Sequence, residues 1–163
     1  MSGGRCDFIA DASFDHEAGM AAVGVAFKGG GQIVCGDTIR ARDANDAEFM
    51  AVIRACQMLA ARQAAPGSRV YTDSHTVVHL TTQSKGDRYG CAAELRKMLA
   101  DHSWHLIETN RRGVSGAHTI AREILQTWRA GRSHGATWTR TPYFKDRVPV
   151  MARTCKYDSP RAA

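Results

Sequence analysis

Three strand-like runs fill the first forty residues, and no stretch long enough for a helix separates them. CDFIADASF, residues 6–14, is the first. MAAVGVAFKGGGQIVCGDTI, residues 20–39, reads as two more, joined by a glycine turn at Gly29 to Gly31. Strands connected this tightly pair antiparallel, as a meander. NDAEFMAVIRACQMLAARQ then repeats Phe49, Val52, Ile53, Cys56, Leu59 and Ala60 at helical spacing and ends at APG. SRVYTD follows as a fourth strand, and the helix between makes it parallel to the first through a right-handed crossover. SHTVVHLTTQ and CAAELRKMLAD read as helices, WHLIETN as a fifth strand and GAHTIAREILQTWRA as a last amphipathic helix. The order predicts an α/β fold. Its mixed five-stranded sheet has three antiparallel strands, then two parallel ones, and is flanked by helices.

At 163 residues, with 44% hydrophobic and 23% charged residues, the chain has the composition of one soluble globular domain. The longest apolar run, residues 20–27, is too short to span a bilayer, and the start of the chain carries no secretory signal, so no membrane association is expected. Five cysteines, Cys6, Cys35, Cys56, Cys91 and Cys155, are odd in number and form no C-x-x-C pair. They predict reduced thiols in a cytoplasmic protein and no zinc site built from cysteine.

The net charge of +6 is unevenly placed. Residues 131–163 hold seven Lys/Arg against two acids, while residues 1–130 are nearly neutral. Trp138, Tyr143, Phe144 and Tyr157 interleave with those basic residues. This predicts a domain over 1–130 and a basic, aromatic-containing extension over 131–163, suited to a phosphate backbone and stacked bases, or else a solvated tail.

Chemistry-bearing residues gather at the strand ends. VYTDSH places Asp73 where the fourth strand stops, beside Asp11 of IADAS on the first. Glu48 lies at the start of the crossover helix, next to the face that packs on the sheet. Each has a local alternative: Asp11 as a turn residue, Glu48 as the capping-box partner of Asn45, and Asp73 or Ser74 as a helix cap. Together, three like charges repel and raise one another's pKa, an arrangement a divalent cation relieves. His75 and His79 have the i, i+4 spacing of some zinc sites, but no third ligand accompanies them in the sequence, and they read as a solvated helix face.

DAS at Asp11, NDAEFMAVIRA around Glu48 and YTDS at Asp73, in this order of elements over roughly residues 5–130, resemble the acidic motifs of type I ribonucleases H. The resemblance implies a metal-dependent endonuclease that hydrolyses the RNA strand of RNA–DNA hybrids with two Mg²⁺ or Mn²⁺ ions per site. It implies Asp11, Glu48, Asp73 and His118 as catalytic metal ligands. It also implies Ser13, Asn45, Ser74, Arg111 and Arg112 as contacts to nucleic acid. Two departures stand out. AHTIA puts His118 where the family's fourth aspartate usually stands, with Glu123 the other acid within reach. The basic handle helix is replaced by QSKGDRYG, with Lys85 and Arg88, and the catalytic-histidine loop by NRRGVS. Other readings are a catalytically lost nucleic-acid-binding module and a structure-selective nuclease of the same superfamily, cutting DNA junctions or double-stranded RNA.

Overall fold

The computed structural model describes residues 3–29, 32–83 and 89–132. Gly30 and Gly31 of the expected turn, Lys85 and Arg88, and nearly all of the expected basic extension lie outside the described residues. The chain runs β1 (Asp7–Asp15), β2 (Met20–Phe27), β3 (Ile33–Arg40), α1 (Ala44–Ala61), β4 (Arg69–Thr72), α2 (His75–Thr82), α3 (Ala92–His102) and β5 (His105–Glu108). A 3₁₀ turn (Arg111–Val114) then leads into α4 (Ser115–Arg132). The sheet order is β3-β2-β1-β4-β5, with β1–β2 and β2–β3 antiparallel and β1–β4 and β4–β5 parallel. This is the mixed sheet that the order of elements predicts.

Period-two alternation divides the core between the two faces of the sheet. Phe8 and Ala10 of β1 join Val23, Val25, Phe49, Val52, Ile53, Leu59 and Val70 under α1. Ile9 faces the other way, with Ala22, Tyr71, Ala117, Ile120, Ile124 and Trp128 under α4. Each fully buried aliphatic or aromatic side chain contributes about 1.5–3 kcal/mol. A core of this size therefore outweighs the cost of gathering a few like charges at one end of the sheet.

The helix starts decide between the capping alternatives. Asp43, not Asn45, caps α1, its side chain accepting from the Asp46 N–H at 2.8 Å. The Asp46 carboxylate accepts from the Arg42 N–H at 2.8 Å, so the cap closes within residues 42–46. Glu48 is thereby left out of capping, because the helix begins two residues earlier than a box on Asn45 requires. At α2 the cap is Ser74, whose hydroxyl accepts from the Val77 N–H at 3.2 Å. Asp73 sits just before the cap and is likewise free of that duty.

Gly24 sets the approach of α4. A Cβ there would come 2.5 Å from the Ala117 carbonyl oxygen and 3.0 Å from Ile120 Cβ. Only glycine lets the helix lie this close to β2, and Ala117 immediately precedes His118.

Candidate active site

The parallel register pairs Phe8 with Val70 and Ile9 with Tyr71. Two residues further on, that register brings Asp11 of β1 level with Asp73, just past the end of β4. Glu48, one turn into α1, completes the group: carboxylate oxygens of Asp11, Glu48 and Asp73 all lie within 4.8 Å of one another. Asp11 is 1% exposed, and Glu48 and Asp73 are half-buried.

Like charges at that distance repel by on the order of 3 kcal/mol per pair at an effective dielectric near 20. The carboxyl groups respond as expected. Burial, and then the Asp11 and Asp73 charges, push Glu48 up to about 9. Burial and the Asp73 charge also raise Asp11, against the opposing pull of His118. Glu48 Oε2 is buried without a hydrogen-bond partner. Three grouped carboxylates, one of which also holds a buried oxygen without a partner, are the donor set a hard divalent cation takes, so these residues fit such an ion.

His118, from the first turns of α4, reaches Asp11 but is not among the residues whose ligand atoms all lie within 4.8 Å of one another. Its Nδ1 lies 2.7 Å from Asp11 Oδ2. An ionised carboxylate only accepts, so beside ionised Asp11 the ring donates from Nδ1. Arg111 occupies the space between: its Nη1 is 3.4 Å from His118 Nε2, and its Nε is 3.7 Å from Asp73 Oδ2. The 3₁₀ turn that carries Arg111 is held by Asn110, whose side chain accepts from the Gly113 N–H at 3.0 Å. The Thr109 N–H, donating to the Thr72 carbonyl at 2.8 Å, ties the loop to the end of β4.

The remaining residues singled out by sequence are spread around this centre. Ser13 is half-buried on β1 and lines a recess beside His118. Asn45 donates from Nδ2 to the Tyr89 hydroxyl at 3.3 Å, and Arg42 donates to the Tyr89 carbonyl at 2.7 Å, so the start of α1 is fastened to the chain leading into α3. Ser74 is occupied as the α2 cap. Arg112 is exposed and makes no ion pair with a described residue. Glu123 is exposed on α4 and outside the carboxylate group. His75 pairs through Nδ1 with Glu108 Oε1 at 2.8 Å and stacks on His79, an exposed arrangement apart from the centre. Sequence reasoning passed over Arg122 and Arg129, which line the recess beside His118. The signal was present in Arg122, one helical turn after His118.

A model of the ribonuclease H family matches residues 6–123. The chain belongs to the ribonuclease H family. Membership makes it a ribonuclease H-type endonuclease, and the fold agrees. RNase H1 from the halophilic archaeon Halobacterium salinarum NRC-1 is similar at TM-score 0.62 and 26% identity, over 76% of this chain and 99% of that one. LC11-RNase H1, isolated from compost and solved in complex with an RNA/DNA hybrid, gives 0.60 at 17% identity over 76% and 99% of the two chains. The N-terminal RNase H domain of a Mycobacterium tuberculosis protein gives 0.59 at 14% identity over 80% and 99%. The last two likenesses concern the fold alone. No curated protein sequence matches the chain significantly.

Proposed function

We propose that this ribonuclease H hydrolyses the RNA strand of RNA–DNA hybrids, with Asp11, Glu48 and Asp73 holding two divalent cations, Mg²⁺ or Mn²⁺. The observation that carries the reading is the meeting of three carboxylates from β1, α1 and the end of β4, one of whose oxygens is buried without a partner. A structural role would disperse such charges or pair each with a cation. When bound, the ions neutralise the cluster, activate the attacking water and stabilise the leaving oxygen.

The residues of the chain do the rest. Asp11, on the central strand and almost fully buried, is the fixed anchor: it pairs with Gly24 of β2, and the β4 ladder holds the strand just before it, up to Ile9. Glu48 and Asp73 approach from separate elements and fix the width of the group. His118 orients one oxygen of Asp11 through Nδ1 and presents Nε2 as a nitrogen ligand in place of a fourth carboxylate. Arg111 carries its positive charge to the mouth of the cluster, where it meets the phosphate of a bound strand. Asn45, fastened to Tyr89, offers its amide to the groove of a duplex, and Ser13 and Arg112 add contacts to nucleic acid.

LC11-RNase H1 was solved with an RNA/DNA hybrid, which supports nucleic acid of that form as the ligand here. The experiment is a labelled panel of hybrid, double-stranded RNA, single strands and a four-way junction, each incubated with Mg²⁺ and with Mn²⁺. Cleavage confined to the RNA of the hybrid is the expected result. Preference for the junction or for double-stranded RNA would make the chain a structure-selective nuclease. Binding without cleavage in either metal would make it a binding module.

A further inference from the structure

Beside the carboxylates, α4 and β1 line an open recess of about 420 Å³. It is lined by Phe14 and Leu125 together with the polar His118, Arg122, Gln126 and Arg129. These four polar residues fall at i, i+4, i+8 and i+11 along α4, which puts them on one stripe of the helix.

The two arginines are in different states. Arg129 donates from Nε to Asp15 Oδ2 at 2.8 Å. The other oxygen of Asp15 accepts the Glu17 and Ala18 N–H groups at 3.0 Å each. The charge of Arg129 is therefore answered, and its role is to fix the wall of the recess against the β1–β2 turn. Arg122 is exposed and makes no ion pair with a described residue. An arginine that only solubilises a helix needs no recess beneath it. A planar guanidinium at a recess lined mostly by polar groups suits a phosphate, which the guanidinium grips through two N–H groups. The Arg122 Cβ lies about 5–6 Å from that of His118, one turn away. Arg122 thus stands on the same stripe of α4 as His118, next along the helix from the candidate centre.

We propose that Arg122, with Gln126 beside it, forms a subsite for the phosphate flanking the scissile one on the cleaved strand, so that α4 sets the register of that strand. This rests on the hybrid-cleavage reading. The Gln126 amide reaches a sugar hydroxyl.

The test is hybrid affinity of the full-length chain in chelator, as a function of salt, for the parent, Arg122→Ala and Arg122→Lys. Lys97→Ala, which removes the exposed α3 ion pair with Asp101, is the control. Arg122→Ala should reduce the slope of log K against log salt by about 0.9, the value of one neutralised phosphate, while Arg122→Lys and Lys97→Ala keep the parent slope. A set of hybrids, each with one neutral methylphosphonate linkage in the RNA strand, locates the phosphate. At one linkage flanking the cut the parent should bind more weakly and Arg122→Ala should be unaffected, a non-additivity that a general charge effect does not produce. If the parent binds the hybrid and no linkage shows this coupling, the subsite is wrong. If the parent does not bind the hybrid at all, the subsite falls together with the reading it rests on.

Discussion

His118 Nδ1 stands 2.7 Å from Asp11 Oδ2, so the most buried carboxylate of the candidate centre is held by an imidazole rather than by a fourth acid. The imidazole adds no negative charge beside that carboxylate, and an imidazole nitrogen is a borderline ligand that suits Mn²⁺ better than Mg²⁺. Activity should accordingly be higher in Mn²⁺. His118→Asp should raise Mg²⁺-supported activity, and His118→Ala should depress activity in both metals. Rates of hybrid cleavage in each metal for the three proteins check this. Parent-like rates and metal preference in both variants would remove His118 from the site.

The raised Glu48 makes the metal-free protein sensitive to pH. An acid raised from its ordinary 4.5 to about 9 stays protonated in the folded chain after the unfolded chain has released its proton. The unfolded state then binds fewer protons, so stability falls as pH rises through that window. In chelator the Tm should drop between about pH 5 and 9, and Glu48→Gln should flatten the drop. Added Mg²⁺ or Mn²⁺ should raise the parent Tm most at the alkaline end of the window, since binding displaces the proton. Thermal melts across pH, with and without metal, give both readings. An equal slope in Glu48→Gln would mean that the cluster does not set it.

Gly24→Ala tests how α4 is seated. The new Cβ meets the Ala117 backbone and Ile120 Cβ, neither of which is the loose end of a side chain. A cost of about 1–3 kcal/mol follows from overpacking of this kind. Because Ala117 precedes His118, cleavage should fall by more than the loss of folded protein explains. Denaturant melts alongside specific activity at a temperature where the variant is folded separate the two effects.

The strand order and the meeting of the three acids were legible in the sequence, because period-two and period-3.6 patterns place Asp11, Glu48 and Asp73 on elements whose connection fixes their neighbours. What the sequence left open was settled by local contacts. Whether Glu48 and Asp73 served as caps depended on a shift of one or two residues, and Asp43 and Ser74 took those roles. The placement of Arg111 depended on a 3₁₀ turn braced by Asn110 and Thr109, a connection too short to show periodicity. The Arg129–Asp15 pair spans most of the domain in sequence, and no local pattern announces a contact of that range.

The basic residues of 131–163 are proposed as a further hold on nucleic acid. Ending the chain after Arg132 keeps the whole of α4. That truncation should weaken hybrid binding and lower the salt slope by about 0.9 for each phosphate that the segment would have neutralised. Filter binding or fluorescence anisotropy over a salt series measures both, and an unchanged slope would assign the segment to another task.

The most direct test of the central claim is the rate at which purified parent and Asp11→Asn cut the RNA of a labelled RNA–DNA hybrid, with and without Mg²⁺ or Mn²⁺. Asparagine keeps the shape of Asp11 and removes the charge that anchors the ions. The parent should cut only with metal, and Asp11→Asn should not cut in either metal, while binding the hybrid in chelator as the parent does. Cleavage by Asp11→Asn at the parent rate, or by the parent in chelator, would contradict the account.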